Sequence, residues 1–338
     1  MEGFVECLLL ELDALQKQLS LRPETIFFGG GTPSALPIEL LEKLLLGLRQ
    51  RLDLSRLIEW TLEMNPATVS SEKALCLREL GVNRISMGVQ SWENSVLGTL
   101  GRVHSAEQAE QSYLILRDAG FKNINIDLMF AVPGQTLEGW RDTLAKTLAL
   151  APEHISAYNL TYEEDTEFFQ RLGQGDFSID EEREVEFFTM TAEFLNGAGY
   201  EQYEVSNFSQ LTMECRHNLA YWQGEDFVGL GPSAVSTCGS ERWKNIPNTR
   251  EYEQRVRAGE IPPESFRESL TQDTKLKEKV AFSLRTKYGV EKTLLQAWAP
   301  EVSELLDSGL IEETSRGSHF TLTQKGRLLA DQVAAMFF

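Results

Sequence analysis

The stretch Thr25-Ile-Phe-Phe-Gly-Gly-Gly-Thr-Pro33 decides the fold of this chain, because a short apolar run enters three consecutive glycines and then a turn closed by proline. Glycine has no Cβ and tolerates positive φ, so the backbone N–H and C=O groups of Gly29, Gly30 and Gly31 can approach a small polar ligand closely. Glycines also occur at strand-to-helix turns for purely steric reasons. The stretch therefore predicts a strand–loop–helix unit whose loop is a candidate for ligand binding.

Comparable units follow this first one along the chain. Further β-prone runs lie at Glu59–Pro66, Arg84–Gln90, Asn123–Phe130 and His154–Tyr162. Apolar residues at three- and four-residue spacing predict the helices Leu40–Leu52, Ser71–Leu80, Ser105–Ala119 and Thr136–Leu150. This order is typical of an α/β fold in which helices surround a parallel barrel or curved sheet. In such folds the site lies at the C-terminal ends of the strands, where Glu63, Gln90 and Asp127 fall.

The composition limits the classes of protein to which the chain can belong. Of its 338 residues, 42% are hydrophobic and 25% are charged, and the formal net charge is −19. Affinity for nucleic acids and for anionic membranes comes largely from clustered Lys and Arg, so this charge argues against either partner. No run approaches the roughly 20 apolar residues of a membrane span, and the first residues lack a secretory signal. We expect a cytoplasmic protein with no nucleic-acid partner and no stable membrane insertion.

A set of short motifs carries a family resemblance. They are Gly29–Pro33, Glu63–Pro66, Arg84–Ser91, Leu100–His104, Asn125–Leu128, Pro133–Thr136, Gly199–Phe208, His217–Trp222 and Gly229–Ser233. Together they resemble the HemN/HemW branch of the radical S-adenosylmethionine (SAM) proteins over nearly the whole chain. The motif His217-Asn-Leu-Ala-Tyr-Trp222 is similar to that of the haem chaperones of this branch, rather than to that of its oxygen-independent coproporphyrinogen III oxidases.

The resemblance implies an S-adenosylmethionine site at the glycine stretch. The residues carried over to it are Gly29, Gly30, Gly31, Thr32, Glu63, Gln90, Arg102 and Asp127. Backbone carbonyls of the glycine loop would take the ammonium group, with Glu63 as its charge partner. Arg102 would pair with the carboxylate through its planar fork, while Gln90 and Asp127 would take the ribose hydroxyls. Each residue taken alone is also consistent with a cap or a solvated side chain.

The same resemblance implies a haem site. His217 would be an axial ligand of the haem iron, because a neutral imidazole is a good iron ligand, and Tyr221 and Trp222 would line a face of the porphyrin. A lone histidine is more often structural. The chain also departs from the family at Gly231-Pro-Ser-Ala-Val-Ser236, where Val235 stands in place of a histidine.

The cluster motif of the family does not occur in this chain. A 4Fe–4S cluster of the radical SAM type requires three thiolates in a C-x-x-x-C-x-x-C loop, whereas Cys7, Cys76, Cys215 and Cys238 have no such spacing. An apolar face that includes Val5 predicts that the chain starts inside a helix, so we expect a barrel truncated at its N-terminus, without the first strand and cluster loop. A truncated sequence and a naturally cluster-free relative both stay open. Catalysis is in doubt on this ground, and we assign no catalytic residue.

The chain is expected to divide into three parts. Residues 1–200 would form the partial (β/α) barrel, residues 201–262 an extension carrying the His217 motif, and residues 263–338 a small C-terminal α+β domain. In this last part, helical patterns precede two β-prone runs, Leu310–Glu313 and His319–Thr323, which predict a hairpin in an order that resembles a winged helix. Few basic residues lie along its recognition helix, so a lid or packing role is favoured over DNA binding.

Three functions stay open at this point. The favoured one is a haem chaperone that in complete form binds haem, a 4Fe–4S cluster and S-adenosylmethionine, and that passes haem to haem-accepting proteins. The second is a coproporphyrinogen III oxidase, in which Tyr158 or Tyr162 at the barrel rim would contact the substrate. The third is a non-catalytic scaffold that keeps the barrel only as a fold.

Overall fold

A computed structural model describes residues 1–162, 164, 167–314 and 317–338. The strands of its main sheet are β1 (Thr25–Phe28), β2 (Glu59–Met64), β3 (Arg84–Gln90), β4 (Ile124–Phe130), β5 (His154–Asn159), β6 (Glu201–Gln202) and β7 (Asn207–Ser209). Within the described residues, these seven strands follow the order β1-β2-β3-β4-β5-β7-β6. The first five run parallel, and β7 and β6 add antiparallel pairs at the β5 edge. The predicted α/β fold with a parallel partial barrel is confirmed.

Helices connect these strands and cover the outside of the sheet. They are α1 (Glu2–Leu15), α2 (Ile38–Arg51), α3 (Ser71–Glu79), α4 (Asn94–Thr99), α5 (Ala106–Asp118), α6 (Leu137–Ala149), α7 (Glu167–Gln174) and α8 (Glu181–Gly197). Several begin at a side chain that accepts an otherwise unpaired backbone N–H. Ser70, Ser105 and Thr136 cap α3, α5 and α6 in this way. The ends of the predicted helices agree with the structure to within a few residues for this reason.

Side chains alternate along each strand, so one face of the sheet packs against the helices and the other lines the inside of the partial barrel. The outward residues Trp60, Leu62, Ile85, Met87 and Ile126 are fully buried in the main hydrophobic core. Burial of this apolar face, at roughly 25 cal/mol per Å², is what fixes the register of the strands. A shift by one residue would turn the apolar set inward.

The inner face of the sheet is polar across its width, and we call its residues the polar face. They are Glu59, Thr61 and Glu63 of β2, Arg84 and Ser86 of β3, Asn125 and Asp127 of β4, and His154, Ser156 and Tyr158 of β5. The register sets Glu63 beside Ser86 and Ser86 beside Asn125. Because polar side chains on neighbouring strands meet here, a hydrogen-bond network replaces a hydrophobic filling.

The helix α9 (Arg216–Trp222) lies against β1. In the described part of the chain, β1 pairs with β2 alone, and its four residues are only half-buried. The α9 helix therefore covers β1, near the end of the sheet where the parallel strands begin.

A small sheet lies beyond α9 and was not predicted from the sequence. It consists of β8 (Val235–Cys238), β9 (Glu241–Asn245) and β10 (Glu264–Ser269), paired antiparallel in the order β10-β9-β8. The helix α10 (Thr249–Arg257) packs this region onto α1, where Cys7, Tyr252 and Val256 form a buried cluster. The extension is thus attached to the N-terminal helix of the chain.

The C-terminal part has its own core. It contains α11 (Gln272–Leu284), β11 (Val290–Glu291), α12 (Ala299–Asp307), β12 (Ile311–Glu313), β13 (His319–Leu322), α13 (Gln324–Leu328) and α14 (Ala330–Ala335). The predicted hairpin is present, since β12 pairs antiparallel with β13. The predicted boundaries at residues 200 and 262 each divide a sheet. The first separates β6 and β7 from the barrel sheet that they extend, and the second separates β10 from its partner β9. The three-part division itself stays a prediction.

None of the described helices combines the length and apolar character that crossing a membrane requires.

Candidate functional site

The glycine stretch follows β1 and lies directly beside Glu63. A Cβ added at Gly29 would stand 2.9 Å from Glu63 Oε1 and 2.5 Å from Phe27 Cε1, so any larger residue here would have to displace one of these side chains. Gly30 has a φ of +78°, and a Cβ added there or at Gly31 would have no described atom within 4 Å apart from those of its neighbours in the chain. Thr32 is exposed at the end of the stretch. The loop is therefore closed on one side by a carboxylate and open on another.

Two carboxylates of the polar face interact unfavourably. Burial and the charge of Asp127 raise the pKa of Glu63 to about 7, although the backbone N–H of Gly30 donates a hydrogen bond to it. Burial also raises the pKa of Asp127, although Asn125 Nδ2 donates to its Oδ1 over 2.7 Å and Ser86 Oγ to its Oδ2 over 3.1 Å. A cation bound beside them would relieve this repulsion.

Gln90 and Arg102 approach the same end of the barrel. Gln90 has a φ of 69°, at an irregularity where the pairing of β3 with β4 shifts register. Its Nε2 would stand 3.0 Å from a Cβ added at Gly88, so the amide lies over that glycine. Arg102 is exposed just after α4, and its guanidinium is close enough to Asp127 for the two charges to interact. The structure thus brings the predicted cofactor residues to one end of the polar face.

The predicted rim residues occupy different surroundings. Tyr158, at the C-terminal end of β5, is 39% exposed. The ring of Tyr162 lies 5.6 Å from the ring of Phe177. Only Tyr158 belongs to the polar face.

His217 lies on α9 and contacts β1 in two ways, through its Nδ1 atom and through the face of its ring. Its Nδ1 is 3.0 Å from Thr25 Oγ1. Its ring stacks on Phe27 with centroids 4.8 Å apart and planes inclined by 15°. Since Phe27 also closes the space at Gly29, one aromatic ring separates His217 from the glycine stretch. The two predicted sites are therefore neighbours.

The surroundings keep the imidazole of His217 neutral. Burial lowers its pKa to about 4, against the nearby charge of Glu59 and with a further lowering from Arg84. When Nδ1 carries the proton and donates it to Thr25 Oγ1, the lone pair resides on Nε2. Among the described residues, Nε2 has no hydrogen-bond partner. A ring held in one tautomer by a hydrogen bond to its other nitrogen is the usual arrangement of a metal-binding histidine.

The two aromatic residues predicted beside His217 separate. Tyr221 is 41% exposed, and its ring lies 5.0 Å from that of His217. Trp222 instead packs against Phe282 of α11, and the guanidinium of Arg285 lies 5.0 Å from its ring centre. The structure therefore brings Tyr221, and not Trp222, together with His217.

A buried network at the opposite end of the polar face was missed by the sequence analysis. Neutral His154 donates from Nδ1 to Asn125 Oδ1 over 2.7 Å, and Tyr203 donates its hydroxyl to Nε2 over 2.8 Å. The same hydroxyl accepts the backbone N–H of Cys215 over 3.3 Å. Glu59 and Arg84 are buried beside this chain of bonds. The available signal was the polar residue at every second position of each strand.

The cysteines do not form a cluster site. Cys7 packs against α10, and Cys215 is buried with its thiol 3.4 Å from Glu59 Oε1. Burial raises the pKa of both thiols. In the described ranges, no three His, Cys, Asp or Glu side chains lie close enough together to hold a metal ion. The thiols of this chain therefore do not fit a 4Fe–4S cluster.

Comparison with known proteins identifies the family. Residues 9–147 match the radical SAM superfamily. The heme chaperone HemW of Lactococcus lactis is 33% identical over 99% of this chain and 89% of its own length, and that of Bacillus subtilis is 35% identical over 93% and 85%. The coproporphyrinogen III oxidase HemN of Escherichia coli, a radical SAM enzyme, shares the fold, with a TM-score of 0.83 at 23% identity over 99% of this chain and 82% of its own. The chain belongs to the HemW family of radical SAM proteins.

Proposed function

We propose that this protein is a haem chaperone of the cytoplasm, which binds haem through His217 and passes it to a haem-accepting protein. The observation that carries the proposal is the arrangement at His217, where a neutral ring is fixed by Thr25 and Phe27 with Nε2 unpartnered among the described residues. The haem-chaperone relatives, which align over nearly the whole chain, support the same function.

The chemistry of the residues around His217 fits a haem. Nε2 would bind the iron, and Tyr221, exposed beside it, would contact the porphyrin. Trp222 would contribute through the packing of α9 against α11 instead of touching the porphyrin. The partial exposure of Tyr221 suits a chaperone, because the acceptor protein has to reach a haem that is to be handed over.

S-adenosylmethionine fits the other end of the polar face. Its ammonium and sulfonium groups are cationic, and Glu63 and Asp127 offer two carboxylates whose repulsion a cation relieves. The glycine loop leaves room for close backbone contact, Gln90 would bind the ribose together with Asp127, and Arg102 would take the carboxylate. In the radical SAM superfamily this cofactor, bound at a reduced 4Fe–4S cluster, supplies radical chemistry. Because no cluster ligand is assigned in this chain, we derive no catalytic step.

A haem titration followed by absorbance tests the haem proposal. Wild type is expected to show saturable Soret-band binding, and His217→Ala to bind at least about tenfold more weakly, since an iron ligand is lost. His319→Ala is the matched control, because His319 lies in the C-terminal hairpin with its Nδ1 2.8 Å from Ser318 Oγ. Equal binding by wild type and His217→Ala, or equal weakening by both substitutions, would overturn the assignment of His217.

A further inference from the structure

Glu59 accepts hydrogen bonds from the start of α9, although it lies on a different element, far away in the sequence. It is 4% exposed, at the beginning of β2. Its Oε1 accepts the backbone N–H of His217 over 3.0 Å and lies 3.4 Å from Cys215 Sγ. Its Oε2 accepts the backbone N–H of Arg216 over 3.0 Å. All of these donors belong to the first turn of α9 or to the residue before it.

This carboxylate replaces the cap that the sequence of α9 lacks. The first backbone N–H groups of a helix have no partner within the helix, and a side chain at the N-cap usually accepts one of them. Here the N-cap residue is Cys215, which makes no such bond. The acceptor comes from Glu59, 157 residues before Arg216 in the chain. The position of α9 therefore depends on β2.

Two attachments then determine where His217 points. Its backbone is held to β2 by Glu59, and its ring is held to β1 by Thr25 and Phe27. Neither attachment touches Nε2. If the first were lost, the first turn of α9 would lose its anchor to β2, and the direction of Nε2 would depend on the contacts of the ring with β1 alone.

We propose that Glu59 is a positioning residue for haem-iron ligation, which holds the first turn of α9 so that His217 presents Nε2 to the iron. The inference rests on the proposed binding of haem through His217. Glu59 does not touch haem in this proposal and positions the ring through the backbone N–H groups of Arg216 and His217.

Four proteins test the inference: wild type, Glu59→Gln, His217→Ala and the double variant. Glutamine keeps the size of the side chain, but its NH2 group is a donor and cannot accept one of the two backbone N–H groups that the carboxylate accepts. We expect Glu59→Gln to weaken haem binding about tenfold and to change the Soret spectrum, as expected for a disturbed ligand orientation. In the His217→Ala background the same substitution is expected to have no further effect, because its action requires the imidazole.

Glu11→Gln is the matched control. Glu11 is also a fully buried carboxylate that fixes distant parts of the chain, accepting Tyr252 Oη and Asn245 Nδ2, each over 2.6 Å, and Gly231 N–H over 2.9 Å. It is expected to lower thermal stability without changing haem affinity. Should Glu59→Gln fail to fold, Glu59→Asp enters the same four measurements with the same expectations, since it keeps the charge and withdraws the oxygens by one methylene.

The outcomes separate the two proposals. Equal weakening by Glu59→Gln in both backgrounds, or none in the wild-type background while His217→Ala weakens binding, would overturn the positioning role and leave haem ligation intact. If His217→Ala binds haem like wild type, both proposals fall together.

Discussion

Glu59 and Glu63 lie four residues apart on the same strand and on the same face, yet their surroundings differ. Glu59, at the beginning of β2, accepts backbone donors from two successive residues of α9. Glu63, at the end of β2, is held among the described residues by the backbone of Gly30 and faces the charge of Asp127. One carboxylate is part of the structure, and the other is left for a ligand.

The difference follows from how the partial barrel is closed. The end where the parallel strands begin is covered by α9 and Tyr203, which donate hydrogen bonds to Glu59 and to His154 Nε2. The end where the strands finish opens onto the glycine loop, where side chains are absent at Gly30 and Gly31. One continuous polar face thus stabilises the fold at one end and offers groups for ligand binding at the other.

The largest effect that would sharpen this comparison concerns stability. Glu59→Ala leaves buried donors without an acceptor and removes a negative charge that interacts with buried Arg84, so we expect a loss of about 3–5 kcal/mol in the free energy of unfolding at pH 7. Glu63→Ala removes a carboxylate that is not fully satisfied and is expected to cost less than about 1 kcal/mol. Urea unfolding followed by circular dichroism measures both. Equal losses would show that the two ends do not differ as described.

The next effect concerns the affinity for S-adenosylmethionine, measured by equilibrium dialysis. Glu63→Gln is expected to weaken binding about tenfold or more, since a charge-assisted contact contributes roughly 1.5–3 kcal/mol. With a pKa of about 7 in the free protein, Glu63 ionises between pH 6 and 7.5, while the ammonium group of the ligand stays mostly protonated below about pH 8. Wild-type affinity should therefore rise over this range.

The control for that measurement is Glu59→Asp, which keeps its charge at the other end of the strand and should leave both the affinity for S-adenosylmethionine and its pH dependence unchanged. A pH dependence that persists in Glu63→Gln would contradict the assignment of the titrating group to Glu63.

Much of the fold could be predicted because its periodicities are strong. The helices of the barrel carry apolar residues at helical spacing and begin at Ser or Thr caps. The sheet β8–β10 was missed because its strands are short, polar and partly exposed. The pair Gly239-Ser240 between two of them was a usable hairpin signal.

The candidate site divides in the same way. Residues at strand ends could be grouped from the sequence, because the C-terminal ends of parallel strands meet at one edge. The separation of Trp222 from His217 also follows from helix geometry, since positions four apart share a face and positions five apart do not. The role of Glu59 could not be predicted, because its partners lie 157 residues or so away and no local pattern links them.

A smaller effect is the pH dependence of stability. For Glu63 the pKa of the folded state, about 7, exceeds the usual pKa of 4.5 that a glutamate has in the unfolded chain. Folding therefore binds a proton between these values, and wild-type stability falls as pH rises through them. Glu63→Gln removes this contribution, so the variant should gain roughly 1–2 kcal/mol relative to wild type at pH 8 compared with pH 5, because solvent screens part of the effect at this half-buried carboxyl. Urea unfolding at both values measures the gain. A gain of equal size in Glu225→Gln, which changes an exposed carboxylate instead, would refute the assignment.

The smallest effect tests the ring of His217 alone. Thr25→Val keeps the shape of the side chain and removes the hydroxyl 3.0 Å from Nδ1, so the imidazole loses the bond that fixes its tautomer. We expect haem to bind about threefold more weakly, which corresponds to roughly 0.7 kcal/mol.

Thr61→Val is the matched control. Thr61 is buried on the polar face, and its Oγ1 has no hydrogen-bond partner in the described part of the chain. Removing that hydroxyl should leave haem affinity unchanged. If both valine substitutions weaken haem binding alike, the effect belongs to the packing of the strands, and the comparison between a satisfied end and a binding end loses its support at His217.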